Sequence, residues 1–173
     1  MTAPTHNQNF NEWFKGSKAV DGFGNPTIFY HKSRSKEIFN SFTDNIQYLK
    51  NPFNDCGGIY FVGKGSEPNI DYIADGIGFY VYLKCLNPLI ICEKIVFNNH
   101  TLKTTIEIND MLGRKYQMID ISKPFVNKCK EENYDSIFIY SHNSYNQYVV
   151  FENKQIKSIE NNGLYQNDNN IFS

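Results

Sequence analysis

Short runs of β-branched and aromatic residues, each cut off by glycine, proline or asparagine, set what this chain can fold into. Ile59-Tyr60-Phe61-Val62 and the stretches 77–83, 89–92, 136–140 and 147–151 are too short for independent helices and rich enough in β-formers to read as strands. The apolar run at 77–83 is nearly continuous, which predicts burial on both faces. Ala19-Val20 and Thr27-Ile28-Phe29-Tyr30 flank the turn-dense Asp21-Gly22-Phe23-Gly24-Asn25-Pro26, a pattern for a β-hairpin. Helical spacing is rarer. Phe10, Trp13 and Phe14 predict a short helix at 9–15, stopped by Gly16. Phe39, Phe42, Ile46 and Leu49 predict a second over 35–49. Two more are expected at 104–116 and 122–132, with Thr104 or Thr105 and Ser122 as caps and Pro124 in a first turn. The stretch 63–69 reads as a loop and a candidate mobile flap. No fixed-period repeat and no linker divides the chain. The class is α+β, with a mostly antiparallel sheet.

A length of 173 residues fits one domain, large enough to fold without disulfide or metal staples. We expect a flexible arm at 1–8, the folded domain at 9–160 and a polar, Asn-rich tail at 161–173. The tail's late apolar residues are Ile171 and Phe172. With 17 basic against 18 acidic residues, a histone-like cationic nucleic-acid binder is excluded, though a local phosphate groove is not. The aromatic share of 16% excludes a generic disordered chain. No apolar run is long enough to span a membrane. The polar start lacks a secretory signal, so a cytoplasmic location is expected and the sequon Asn99-His100-Thr101 is discounted. Cys56, Cys85, Cys92 and Cys129 form no Cys-x-x-Cys and read as reduced thiols. Richness in Asn, Ile, Lys and Tyr with little Ala points to an AT-rich coding sequence, as in a bacterium, phage or mobile element.

Common catalytic motifs are missing. There is no P-loop and no Gly-x-Ser-x-Gly. The Gly-x-Gly fragments at 22–24, 63–65 and 76–78 lack the strand-to-helix setting of a dinucleotide fingerprint. His6, His31, His100 and His142 have no metal-ligand spacing, so no metal is expected.

Three segments carry the functional signal. They are Phe29-Tyr30-His31-Lys32-Ser33-Arg34, Gly57-Gly58-Ile59-Tyr60-Phe61, and Tyr145-Asn146-Gln147-Tyr148-Val149-Val150-Phe151 followed by Gln155-Ile156-Lys157-Ser158. In this order they resemble the ADP-ribosyltransferase superfamily. The nearest likeness is to the small bacterial and phage domains found in polyvalent proteins of mobile elements. Phe10-x-x-Trp13-Phe14, Ser17-Lys18-Ala19-Val20-Asp21 and Val81-Tyr82-Leu83-Lys84-Cys85-Leu86-Asn87-Pro88-Leu89 extend the resemblance over roughly 9–159.

The resemblance implies a split, mostly antiparallel sheet with flanking helices, and NAD as co-substrate. It implies that His31 bonds the adenosine ribose, that the Lys32 backbone meets the nicotinamide amide where the family has Gly, and that Ser33 is the small hydroxyl residue that follows. Tyr60 is implied to stack on nicotinamide, with Tyr72 one residue off the place of a second stacking aromatic. By charge alone, Lys32, Arg34 and Lys36 read as a local basic edge, for a nucleic-acid target or, more simply, for the NAD pyrophosphate or water. Together with His31, Tyr60 and Tyr72, the run Lys32-Ser33-Arg34 forms the implied NAD-binding set.

The third family position, normally glutamate, is Gln147. Glutamine keeps a hydrogen bond to the ribose but supplies neither charge nor base. Poly(ADP-ribose) elongation is therefore not expected. Acceptor activation falls to another group, His142 ahead of Glu152 and Asp135. Glu152 has odd spacing from Gln147 and would face away in a regular strand. The expected function is mono-ADP-ribosyl transfer from NAD to a protein, RNA or DNA acceptor. The setting would be a toxin or effector in bacteria–phage conflict, with an antitoxin partner and no membrane. The alternative is a degenerate NAD-binding or virion-associated interaction protein.

Overall fold

The computed structural model describes residues 4–33, 35–42, 57–66, 76–92, 96–98, 101–103, 123–140 and 146–173. Its elements are α1 (Gln8–Phe14), β1 (Phe29–Lys32), β2 (Ile59–Gly63), β3 (Gly78–Leu83), β4 (Pro88–Cys92), β5 (Val96–Asn98), β6 (Thr101–Lys103), α2 (Lys123–Glu131), β7 (Ser136–Tyr140), β8 (Gln147–Val150) and β9 (Ile156–Ser158). Seven strands form one sheet in the order β4-β7-β8-β2-β1-β3-β9, and β5-β6 pair separately. Only β4 and β7 pair in parallel within the large sheet, so the α+β, mostly antiparallel expectation holds.

The sheet is split and curled. Between β1 and β2 the ladder carries two pairs, Phe29 with Gly63 and Tyr30 with Val62, whereas β1–β3 and β2–β8 carry four each. One side chain marks the curl. The Gln155 amide nitrogen donates to Lys84 O after β3 and to Asp135 O before β7, both at 3.1 Å. A flat sheet would hold those strands about four spacings of 4.8 Å apart. The amide oxygen of Gln155 also accepts from the Phe151 and Glu152 N–H groups, so its bonding capacity is spent inside the fold.

Strand alternation sorts the core. Ile59, Phe61, Phe138, Tyr148 and Val150 face the inside of the curl, where Phe29, Phe79, Val81 and Ile156 meet them. Tyr60, Leu89, Ile91, Ile137 and Val149 face outward beneath Val126 and Cys129 of α2. Gly58 starts this packing because only glycine fits there. A Cβ would sit 2.5 Å from Val149 Cγ1 and 2.9 Å from the Val150 carbonyl oxygen. Gly58→Ala is expected to cost about 1–3 kcal/mol through overpacking, read as a lower urea midpoint with unchanged slope. An unchanged midpoint would refute this close packing.

Several expectations are corrected. Residues 35–42 form no helix. The Ser33 hydroxyl accepts from Ser35 N–H, and the Ser35 hydroxyl bonds the backbone of Glu37, a local alternative to helical bonding. Phe39 and Phe42 still face the core, against Phe79. The β3 strand is not buried on both faces throughout, since Gly78 and Tyr80 are exposed. The hairpin reduces to a bridge between Val20 and Pro26 with Thr27 N–H on Ala19 O. The helix at 104–116, the end of the 35–49 helix, Ser122 and the 67–69 part of the flap lie outside the described residues. Gly63 to Ser66 is a tight turn with Gly65 at φ +88°.

The first and last described residues are bonded into the fold. Asn7 caps α1 through Phe10 N–H and donates to Gly163 O. Tyr165, Ile171 and Ser173 are buried. Fully buried Lys157 donates to Asp168 Oδ1 at 2.9 Å, Asn170 O at 2.6 Å and Ser173 Oγ at 2.9 Å. Buried Asn153 accepts from Phe42 N–H and donates to Ser41 Oγ and Asn169 O. The tail is polar because it supplies the acceptors that these buried groups require.

Candidate functional site

His31 is the third residue of β1, one position past the end of its ladder to β2. Its Nδ1 lies 2.6 Å from the Tyr60 carbonyl oxygen. A carbonyl can only accept, so Nδ1 carries the proton and Nε2 keeps a lone pair in the neutral ring. Burial holds the imidazole below the usual histidine range, and the bond to Tyr60 only partly opposes it. Phe42 and Phe61 wall the ring at centroid distances of 4.9 and 5.4 Å. No donor among the described residues reaches Nε2. This is a neutral, oriented hydrogen-bond acceptor, suited to a hydroxyl group.

Tyr60 and Gln147 share the outward face of the β2–β8 pair. Gln147 stands opposite Val62 on β2 and opposite Ile139 on β7, while Tyr60 stands opposite Val149. Gln147 is half-buried at the strand's start, and its side chain bonds none of the described residues. Alternation therefore places the Tyr60 and Gln147 side chains together and His31 on the Phe61 face, with the sheet's split beside it. The backbone joins His31 to Tyr60. No contact among the described residues joins His31 to Gln147.

Lys32 stands opposite Gly78, so its side chain leaves on the face of Tyr30 and Tyr80, away from His31. The Ser33 hydroxyl serves the Ser35 turn, and its N–H donates to Ile77 O at 2.9 Å. Arg34, Tyr72 and His142 lie outside the described residues. Glu152 lies past β8, bonded to Lys154 at 2.7 Å with Lys130 at 4.0 Å. The lysines hold its carboxyl below the usual range, with the Lys154 bond the main cause. Asp135 accepts from the N–H groups of Leu86 and Asn87. Neither acid is directed at Gln147. Burial pushes the Cys85 thiol up to about 12, which removes it as a nucleophile at neutral pH. Cys85, Cys92 and Cys129 are free thiols.

Sequence reading missed Phe42 as the wall of His31 and Asn153 as the residue that seats it. The only signal for Phe42 was its spacing from Phe39, which was absorbed into a helix. Asn153 carried no signal, because its role depends on contacts more than a hundred positions away.

His31 also sets a pH dependence. Its folded pKa lies below the unfolded value, so unfolding takes up a proton between the two. Its contribution to stability is complete above the ordinary histidine value near 6.5 and is lost as pH falls toward the folded pKa. The midpoint of wild type should fall more between pH 7 and pH 5 than that of His31→Asn. Parallel curves would contradict the neutral, half-buried ring.

Among the described residues, no three His, Cys, Asp or Glu side chains gather to hold a metal, and no helix is long and apolar enough to cross a membrane. Neither a curated protein nor a solved structure matches the chain. The family model for the ADP-ribosyltransferase in polyvalent proteins matches residues 21–164, a span that contains His31, Tyr60, Gln147 and the whole split sheet up to β9. The chain belongs to that family of ADP-ribosyltransferase domains.

Proposed function

We propose that this domain is a mono-ADP-ribosyltransferase that moves ADP-ribose from NAD to a macromolecule, acting as a toxin or effector in conflict between bacteria and phage. The observation that carries the reading is His31, a neutral imidazole fixed through Nδ1 with an acceptor lone pair on Nε2. That atom accepts a hydroxyl of the adenosine ribose. Gln147 accepts a hydroxyl of the nicotinamide ribose through its amide oxygen. The two residues need not share a face, because the two riboses lie at opposite ends of the dinucleotide. Tyr60, on the face of Gln147, stacks on nicotinamide.

In the reaction the bond between C1′ of the ribose and the nicotinamide nitrogen breaks. Its electron pair leaves with nicotinamide, which becomes neutral. The acceptor nucleophile bonds C1′ of the oxocarbenium-like centre and gives up its proton. Gln147 stabilises that centre by its amide dipole alone, so the rate depends on positioning more than on charge. The proton goes to His142 or to water. A basic edge of Lys32, Arg34 and Lys36 holds the pyrophosphate. The setting is a host cytoplasm, with an antitoxin as counterpart.

The test is to incubate purified protein with adenylate-labelled NAD and whole-cell lysate, then digest with protease or nuclease. Label that disappears with one digestion establishes transfer and the acceptor class. Glutamine at position 147 favours one rival, a catalytically degenerate NAD-binding module. Intact NAD and no labelled macromolecule would select that rival.

A further inference from the structure

The turn between Val20 and Pro26 holds a phenylalanine almost wholly in water. Phe23 is 94% exposed, well beyond any other large apolar side chain described, Ile38 at 69% being next. Single exposed apolar residues are ordinary on protein surfaces. This one differs because the backbone beneath it is pinned. One Asp21 carboxylate oxygen accepts from Phe23 N–H at 2.8 Å and Asn25 N–H at 2.9 Å, and the other accepts from the Asn25 amide at 3.3 Å. Asp21 and Asn25 also bond through the backbone, Gly24 N–H returns to Asp21 O, and Gly24 takes φ +84°. The Val20–Pro26 bridge closes the base. The amides of Asn25 and Phe23 hold the Asp21 carboxyl below its usual range, so the clamp persists in mild acid. An apolar ring on a preformed turn costs little ordering to dock.

The turn has a defined place. It leads into β1 at Phe29, opposite Gly63, where β2 finishes. Gln147 starts β8 at that same end of the strands, opposite Val62. Ser17 bonds Leu83 O and Lys18 bonds Cys85 O, tying the base of the segment to the end of β3 there. Residues 19–29 contain no lysine or arginine, and the one acid among them spends its oxygens inside the turn. Strand binding to nucleic acid needs cations to track phosphates beside a stacking ring. The turn itself offers none, the nearest lysines, Lys18 and Lys64, standing at its base.

We infer that Phe23 is a docking anchor for a protein acceptor, inserting into an apolar pocket on the target and presenting it at the Gln147 end of the sheet. This rests on the transferase reading and names its acceptor class.

The experiment compares wild type, Phe23→Ala and Phe23→Trp with adenylate-labelled NAD and lysate, and measures nicotinamide release to water without lysate. Phe23→Ala should keep the wild-type melting point and the acceptor-free release, and lose roughly 10- to 100-fold of protein labelling, as for truncation of an aromatic hot spot. Phe23→Trp should restore most of it. Equal labelling by wild type and Phe23→Ala overturns the anchor and leaves the transferase reading standing. Label that is removed by nuclease overturns the protein acceptor. No label and no nicotinamide from wild type defeats the transferase reading and the anchor with it.

Discussion

Lys157→Met should lower the melting point by about 6–12 °C. The ammonium is fully buried and bonds Asp168, Asn170 and Ser173, tying the last residues described to β9. Methionine keeps the stem and removes the charge, so the carbonyl of Asn170 loses its shortest bond and keeps the donors of Ser173. Breaking a buried pair by removing one partner costs about 3–5 kcal/mol. The Asp168 side chain is 43% exposed and can rehydrate, which places this case near 3 kcal/mol. In a chain of this size each kcal/mol moves the midpoint by about 2–4 °C. Asp168→Asn keeps an acceptor and should cost about 1 kcal/mol. Deleting 168–173 strands the charge altogether and should be at least as damaging as Lys157→Met. Lys157→Met melting within about 2 °C of wild type, roughly one kcal/mol, would show that the knot contributes little.

Gln147→Ala should lower single-turnover nicotinamide release about 10²–10³-fold, as for removal of one preorganised group at a charge-developing centre. NAD affinity should change far less, because the amide acts mainly in the transition state. Gln147→Glu keeps the acceptor oxygen and adds charge and a base, so it should retain or raise the rate. If Gln147→Ala turns over like wild type, Gln147 does not reach the ribose. If affinity and rate fall together, it is a ground-state contact instead.

Much of the sheet was legible because its strands are local signals. The sequence runs at 59–62, 136–140 and 147–151 reappear as β2, β7 and β8 within a residue at each end. The helix expected at 122–132 with Pro124 in its first turn appears as α2, where Val126 and Cys129 lie one turn apart and are both buried. Residues 35–42 misled because phenylalanines three apart also suit an irregular segment laid on a core, and serine bonding decides between the two. The tail's role was not legible in its polar composition, because its carbonyls and hydroxyls satisfy Lys157 and Asn153 only once the chain is folded.

The candidate site was legible only as an ordered set of motifs. His31, Tyr60 and Gln147 lie on three strands joined by long-range pairing, and no local rule links them. The tautomer of His31 could not be read from sequence, since it depends on the ladder failing beyond Tyr30 so that the ring meets Tyr60 O. Gln155 and Lys157 were visible as motif letters. That Gln155 closes the curl and Lys157 ties in the tail emerged only from their bonds.

The decisive reaction follows two labels at once, one on the adenylate and one on the nicotinamide of NAD, with purified protein and lysate. Adenylate label should enter a macromolecule while an equal amount of nicotinamide label is freed as the neutral base. His31→Ala and Gln147→Ala should abolish both together. Both labels remaining on intact NAD in the wild-type reaction would contradict ADP-ribosyl transfer by this domain.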